Sequence, residues 1–147
     1  MSNFIVTTTI FNPSLAVKKF SRIKNWHLVV VGDLKTPHEK YLNMKNITYL
    51  TPEMQKKIAP KLSKLIGWNC IQRRNIGYIY AKKNGAKLIA SVDDDNIPYK
   101  EWGSKILINK KIETNSYNTN LSAFDPLSIF KFNSKIWHRG FPLQLLQ

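Results

Sequence analysis

Lys87-Leu88-Ile89-Ala90-Ser91-Val92 is an apolar run that leads straight into Asp93-Asp94-Asp95. A short apolar segment bounded by turn signals reads as a buried strand. Three consecutive carboxylates repel one another, so they need a compensating cation or full exposure. The chain has only nine acidic residues, and three of them stand here. A hard divalent cation takes oxygen ligands and keeps positions free for phosphates and water. Alternate side chains of an extended segment point opposite ways, so a turn must aim Asp93 and Asp95 at one ion.

The segments on the N-terminal side repeat the strand pattern. Phe4 to Ile10 is a β-branched run and predicts a buried strand. Ser14 is a fair N-cap for a helix carrying Leu15, Val17, Phe20 and Ile23. His27 to Val31 is a second apolar strand, ending at Gly32-Asp33, and Ile47 to Leu50 is a third. Thr51-Pro52 opens a helix to about Ile66, which Pro60 divides or kinks. After a turn at Gly67-Trp68-Asn69, a helix is expected from about Gln72 to Lys83, closed by Asn84-Gly85.

Alternating strands and helices predict an α/β fold with a doubly wound parallel sheet. Ligands of such sheets sit beyond the carboxyl ends of the strands. Thr7, Thr8, Asp33 and Asp93 to Asp95 all fall at such ends. Beyond Pro98 the pattern weakens. Ile106 to Ile112 and Ser128 to Phe132 are the remaining strand candidates, and the chain is read as C-terminally truncated.

Totals narrow the function classes. A length of 147 residues, 43% of them hydrophobic, predicts one domain, 1–147, with a sizeable core. The single cysteine, Cys70, rules out an internal disulfide framework and a Cys-rich zinc site. There is no signal-peptide shape and no apolar run near the ~20 residues of a membrane span. The expected location is cytoplasmic, with peripheral contact at a membrane surface. A net charge of +14 favours anionic partners, among them nucleotide phosphates, acidic glycans and an anionic membrane. Nucleic acid is not the expected partner. Nineteen of the 23 basic residues are lysines, scattered as solvated faces would be. No dinucleotide-binding or Walker A glycine loop occurs.

Two further clusters suit an anionic ligand. Arg73-Arg74-Asn75 begins a helix, where guanidinium forks and oriented N–H groups both favour phosphate. Trp137-His138-Arg139-Gly140-Phe141-Pro142 suits a loop over an anion, with His138 a candidate metal ligand or acid/base group. Asp33 is a candidate contact for a nucleotide base or ribose.

These segments, with Ile5-Val6-Thr7-Thr8, Trp26 to Pro37 and Gly85 to Ile89, together resemble the STELLO-like glycosyltransferases and, more distantly, the reversibly glycosylated polypeptides. The resemblance runs in order through nearly the whole chain. It implies a GT-A-like, Rossmann-like α/β fold and a nucleotide-sugar donor. It also implies Mn²⁺ or Mg²⁺ on the D-x-D run, held by Asp93 and Asp95. By the same resemblance Thr7, Thr8 and Asp33 line the nucleotide pocket, and Arg73 and Asn75 face the diphosphate. Arg139 is expected on the diphosphate too, and Asp94 on the donor or the ion. The catalytic group is not identified. The expected activity is transfer from a UDP-linked sugar to a glycan or glycolipid acceptor. The alternatives are a nucleotide-sugar-binding or scaffold domain without transferase activity, and a basic nucleic-acid binder.

Overall fold

The computed structural model describes residues 3–132, 134 and 136–145. The chain divides into two compact units, Met1–Lys105 and Ile106–Gln147. In the first unit the elements run β1 (Asn3–Thr9), α1 (Leu15–Phe20), β2 (His27–Gly32), α2 (His38–Leu42), β3 (Ile47–Leu50), α3 (Pro52–Ile58), α4 (Pro60–Ile66), α5 (Arg74–Lys83) and β4 (Leu88–Ser91). A 3-10 turn, Ile71–Arg73, leads into α5. The four strands form one sheet in the order β3-β2-β1-β4, and every pairing is parallel. The expected α/β, GT-A-like architecture is therefore the one observed.

Strand alternation divides the core into two clusters. Ile5, Leu28 and Val30 pack with Ala16, Val17 and Phe20 of α1 and Tyr41 of α2. Phe4, Val6, Val29 and Val31 pack with Leu50 and Ala81. Both faces of β1 and β2 are covered, which accounts for their unbroken apolar sequences. Gly77 lets α5 approach the sheet closely. A Cβ there would lie 2.4 Å from Val6 Cγ1 and 2.7 Å from Val31 Cγ2.

The caps follow local chemistry. The Ser14 hydroxyl accepts the Val17 N–H at 3.1 Å, and the Thr51 hydroxyl accepts that of Met54 at 3.3 Å. The segment from Pro52 to Ile66 is two helices, separated at Ala59 (φ −147°, ψ 72°) because Pro60 has no N–H to continue the first. Gly85 ends α5 with φ 78°. The short α2 was not among the expected elements.

In the second unit the two expected strands are absent. Asn109 adopts φ 60° and the Lys110 N–H bonds Leu107 O at 3.2 Å, so 106–112 turns instead of extending. Asp125 Oδ1 accepts the Leu127 N–H at 3.0 Å and opens a 3-10 turn, Pro126–Ile129, across the second candidate.

Candidate functional site

A cavity of about 230 Å³ lies at the carboxyl ends of β1 and β2, lined by Thr8, Thr9, Ile10, Phe11, Val31, Asp33, Asn69, Cys70, Ile71, Arg73 and Asp94. Ligand sites commonly run ~300–1,000 Å³, so this one is smaller than usual and would enclose only part of a larger ligand. Its walls combine apolar side chains with hydroxyls and two carboxylates.

Asp33 is held in place from three directions. Its N–H donates to Thr36 Oγ1 at 2.7 Å, and that hydroxyl donates onward to Thr9 O at 2.7 Å. Its carboxylate accepts the Leu34 N–H at 2.6 Å and the Asn69 N–H at 2.8 Å. Each carboxylate oxygen keeps a second lone-pair site for a ligand N–H or O–H. Asn69 reaches Asp33 from a left-handed backbone conformation, φ 58°.

The aspartates diverge. Asp94 turns toward the cavity, where its Oδ2 accepts the Thr9 hydroxyl at 2.5 Å. The Ser14 hydroxyl donates to its backbone oxygen. Asp93 turns away from the cavity: Oδ1 meets Arg74 Nη2 at 2.7 Å and Oδ2 accepts Asn96 Nδ2 at 3.4 Å. Asp95 is exposed. Among the described residues no group of three or more His, Cys, Asp or Glu side chains gathers as a metal site. The donor chemistry suits a hard cation, and Mg²⁺-type ions commonly take one or two carboxylates and complete their shell with substrate phosphates and water.

The two adjacent arginines part company. Arg74 Nη1 donates to Ser91 Oγ at 3.1 Å, and Tyr78 donates to the same oxygen at 2.7 Å. Arg74 Nε is buried without a partner. Arg73 has no exposed surface, although it stands in the cavity wall. All five of its N–H groups are used internally. Nε and Nη2 donate to Gln55 Oε1 at 2.8 and 2.6 Å, and Nη2 also to Ser63 Oγ at 3.0 Å. Nη1 donates to the backbone oxygens of Ser63 and Gly67, both at 3.0 Å. Its carbon lies 3.7 Å from the centroid of the Trp68 ring. Burial lowers its pKa, opposed by the charge of Asp33. The expectation that Arg73 contacts a diphosphate is thus corrected: a guanidinium with every donor engaged and no accessible face has none to offer.

The other expected residues are dispersed. Thr8 lines the cavity, whereas Thr7 is buried within β1 and does not. Asn75 is exposed on α5 outside the cavity. Arg139 and His138 belong to the second unit, where both are exposed and the His138 N–H donates to Asp125 Oδ1 at 3.2 Å. That unit has its own cavity of about 410 Å³, lined in part by Phe124, Asp125, Ser128 and Phe141. The cavity residues not anticipated are Thr9, Ile10, Phe11, Val31, Asn69, Cys70 and Ile71. Thr9 was legible as the last polar residue of β1 and Val31 lies in β2; the others come from the segment after β1 and from the turn that leads into α5, whose positions only the fold defines.

No protein-family model matches the chain. Two curated proteins of Arabidopsis thaliana align with it, "Probable glycosyltransferase STELLO2" and "Probable glycosyltransferase STELLO1". Each is 24% identical over 151 aligned residues, which cover 96% of this chain. The similarity to both runs along nearly the whole chain. The chain spans 19% of the length of those STELLO relatives. Among the described residues no helix is long and apolar enough to cross a membrane.

Proposed function

We propose that the chain binds a nucleotide-diphosphate sugar, UDP-linked, and takes part in transferring its sugar to a glycan or glycolipid acceptor. One observation carries this reading. Asp94, which follows β4, and Asp33, from the end of β2, both line one cavity. In it, Ile10, Phe11 and Ile71 offer apolar surface to a base, and Thr8, Thr9, Asp33 and Asp94 offer hydrogen bonds to base and ribose.

The cofactor in this reading is Mn²⁺ or Mg²⁺ at Asp93 and Asp95, beside the cavity. Such an ion, when bound, offsets the charge of the departing nucleoside diphosphate. Asp95 has the accessible carboxylate, whereas Asp93 must exchange Arg74 for the ion. Arg74, released, would offer its guanidinium to the diphosphate, a role for which Arg73 has no free donor. Calorimetry with UDP-sugars and Mn²⁺ tests the proposal. Metal-dependent binding that Asp95→Ala weakens at least about tenfold is expected. No binding, or an Asp95→Ala variant that behaves like the parent, refutes it.

Donor binding without transfer is the second reading, favoured because both carboxylates that line the cavity, Asp33 and Asp94, already accept hydrogen bonds from the protein. Sugar transfer or donor hydrolysis by the purified chain decides against it.

A further inference from the structure

Between Glu53 and Asp93 the chain has no carboxylate and nine basic residues. Arg73 is buried and Arg74 is paired, which leaves seven lysines. Lys56 and Lys57 are on α3, Lys61 and Lys64 on α4, Lys82 and Lys83 at the end of α5, and Lys87 follows; all seven are exposed. The fold gathers them. Ile58 of α3 and Ala81 of α5 pack in the same core cluster, and Lys83 Nζ donates to Ile58 O at 2.9 Å. Arg73, at the start of α5, is bonded to Ser63 of α4. These helices thus form one layer with an outer surface that carries positive charge and no acidic partner beyond Glu53 at its start. Surfaces of one sign attract an opposite field and are costly to leave unopposed.

An apolar feature accompanies the charge. Leu65 is 85% exposed on α4, four residues after Lys61 and next to Lys64. Residues four apart on a helix share a face. Lysine stems lie along apolar surface while their ammonium groups stay in water, an arrangement suited to a headgroup layer. Every exposed cation here is lysine, a point charge without the planar fork that reads nucleic-acid bases or single phosphates.

We propose that the outer face of α3, α4 and the end of α5 docks on an anionic lipid bilayer, with Leu65 entering the headgroup region. Each lysine near such a surface strengthens binding about fivefold, and salt screens the attraction. The docking is independent of nucleotide binding, so either can fail without the other.

The test is co-sedimentation of the whole chain, without nucleotide, with phosphatidylcholine vesicles containing or lacking about 30% phosphatidylserine. Binding is expected only to the anionic vesicles and weakens with salt. Lys57→Glu/Lys61→Glu/Lys64→Glu is expected to lose at least about tenfold in affinity. Lys18→Glu/Lys19→Glu/Lys24→Glu, on and just after α1, changes the net charge equally and is expected to lose far less. Circular dichroism checks each fold, and Lys→Gln versions replace any charge reversal that does not fold. Leu65→Ser is expected to weaken vesicle binding several-fold. The proposal is overturned if phosphatidylserine makes no difference, if the two triple variants lose equally, or if Leu65→Ser binds like the parent. The last outcome would assign the surface to a soluble polyanion.

Discussion

Arg73 and Gln55 are joined by a two-pronged hydrogen bond: Gln55 Oε1 accepts from Arg73 Nε at 2.8 Å and from Nη2 at 2.6 Å. The glutamine's own Nε2 donates to Gly32 O at 2.6 Å and Leu50 O at 2.8 Å. One buried amide therefore ties the ends of β2 and β3 to the start of α5. Truncating either partner leaves buried polar groups unmatched, whereas replacing both removes the mismatch between them. Gln55→Leu and Arg73→Met are each expected to cost about 2–4 kcal/mol by urea unfolding. The double variant should cost clearly less than the sum. Additive losses would show that the pair is not coupled.

Gly77 gives a second stability prediction. Alanine is the better helix former by ~1 kcal/mol. Here its methyl would enter the space of Val6 and Val31, at 2.4 and 2.7 Å. Overpacking of this kind costs ~1–3 kcal/mol, so Gly77→Ala should lower the melting temperature by several degrees. A rise would mean that α5 moves freely away from the sheet.

Arg74 separates two kinds of binding. It occupies Asp93 in the absence of ligand. Arg74→Ala is expected to strengthen Mn²⁺ binding by the chain alone, because the carboxylate is freed. The same change is expected to weaken UDP-sugar binding in the presence of Mn²⁺ about tenfold, because the diphosphate loses a charge-assisted donor. Titrations with Mn²⁺ alone and with the donor read the two effects separately. Movement of both affinities in one direction would contradict the exchange.

His27 gives a pH dependence. Burial lowers its pKa below the usual 6.5, and its Nε2 lies 2.7 Å from Thr48 Oγ1. A histidine with a depressed folded pKa binds fewer protons folded than unfolded. Its contribution is therefore present above about pH 6.5 and is lost as pH falls through the lowered value. Urea midpoints at about pH 7.5 and 5.5 should differ more in the parent than in His27→Gln. An equal difference would place the acid sensitivity elsewhere.

Much of the fold was legible because its signals are local. The strand ends, the Ser14 and Thr51 caps, the break at Pro60 and the stop at Gly85 each depend on a few neighbouring residues. The candidate site was legible in place and less so in detail. Consecutive residues leave a helix or strand in different directions, so Arg73 and Arg74, like Asp93 and Asp94, separate into inward and outward partners. Sequence adjacency alone does not say which turns in. Gln55, 18 residues from Arg73, is brought to it only when the helices pack. The second unit misled because apolar residues at Ile106 to Ile112 resemble a strand, whereas the left-handed Asn109 turns the chain.

The sheet order sets β4 at an edge, hydrogen-bonded on one side to β1 and less covered than the two central strands. The aspartates thus ride on the strand with the least protection. Local opening reaches such a margin before the interior. Amide hydrogens of Ile89 and Ala90 should exchange with solvent sooner than those of Val29 and Val30, and a ligand that braces Asp94 should slow them. Occupancy of the cavity would then register as a protection pattern along β4, legible without following any turnover.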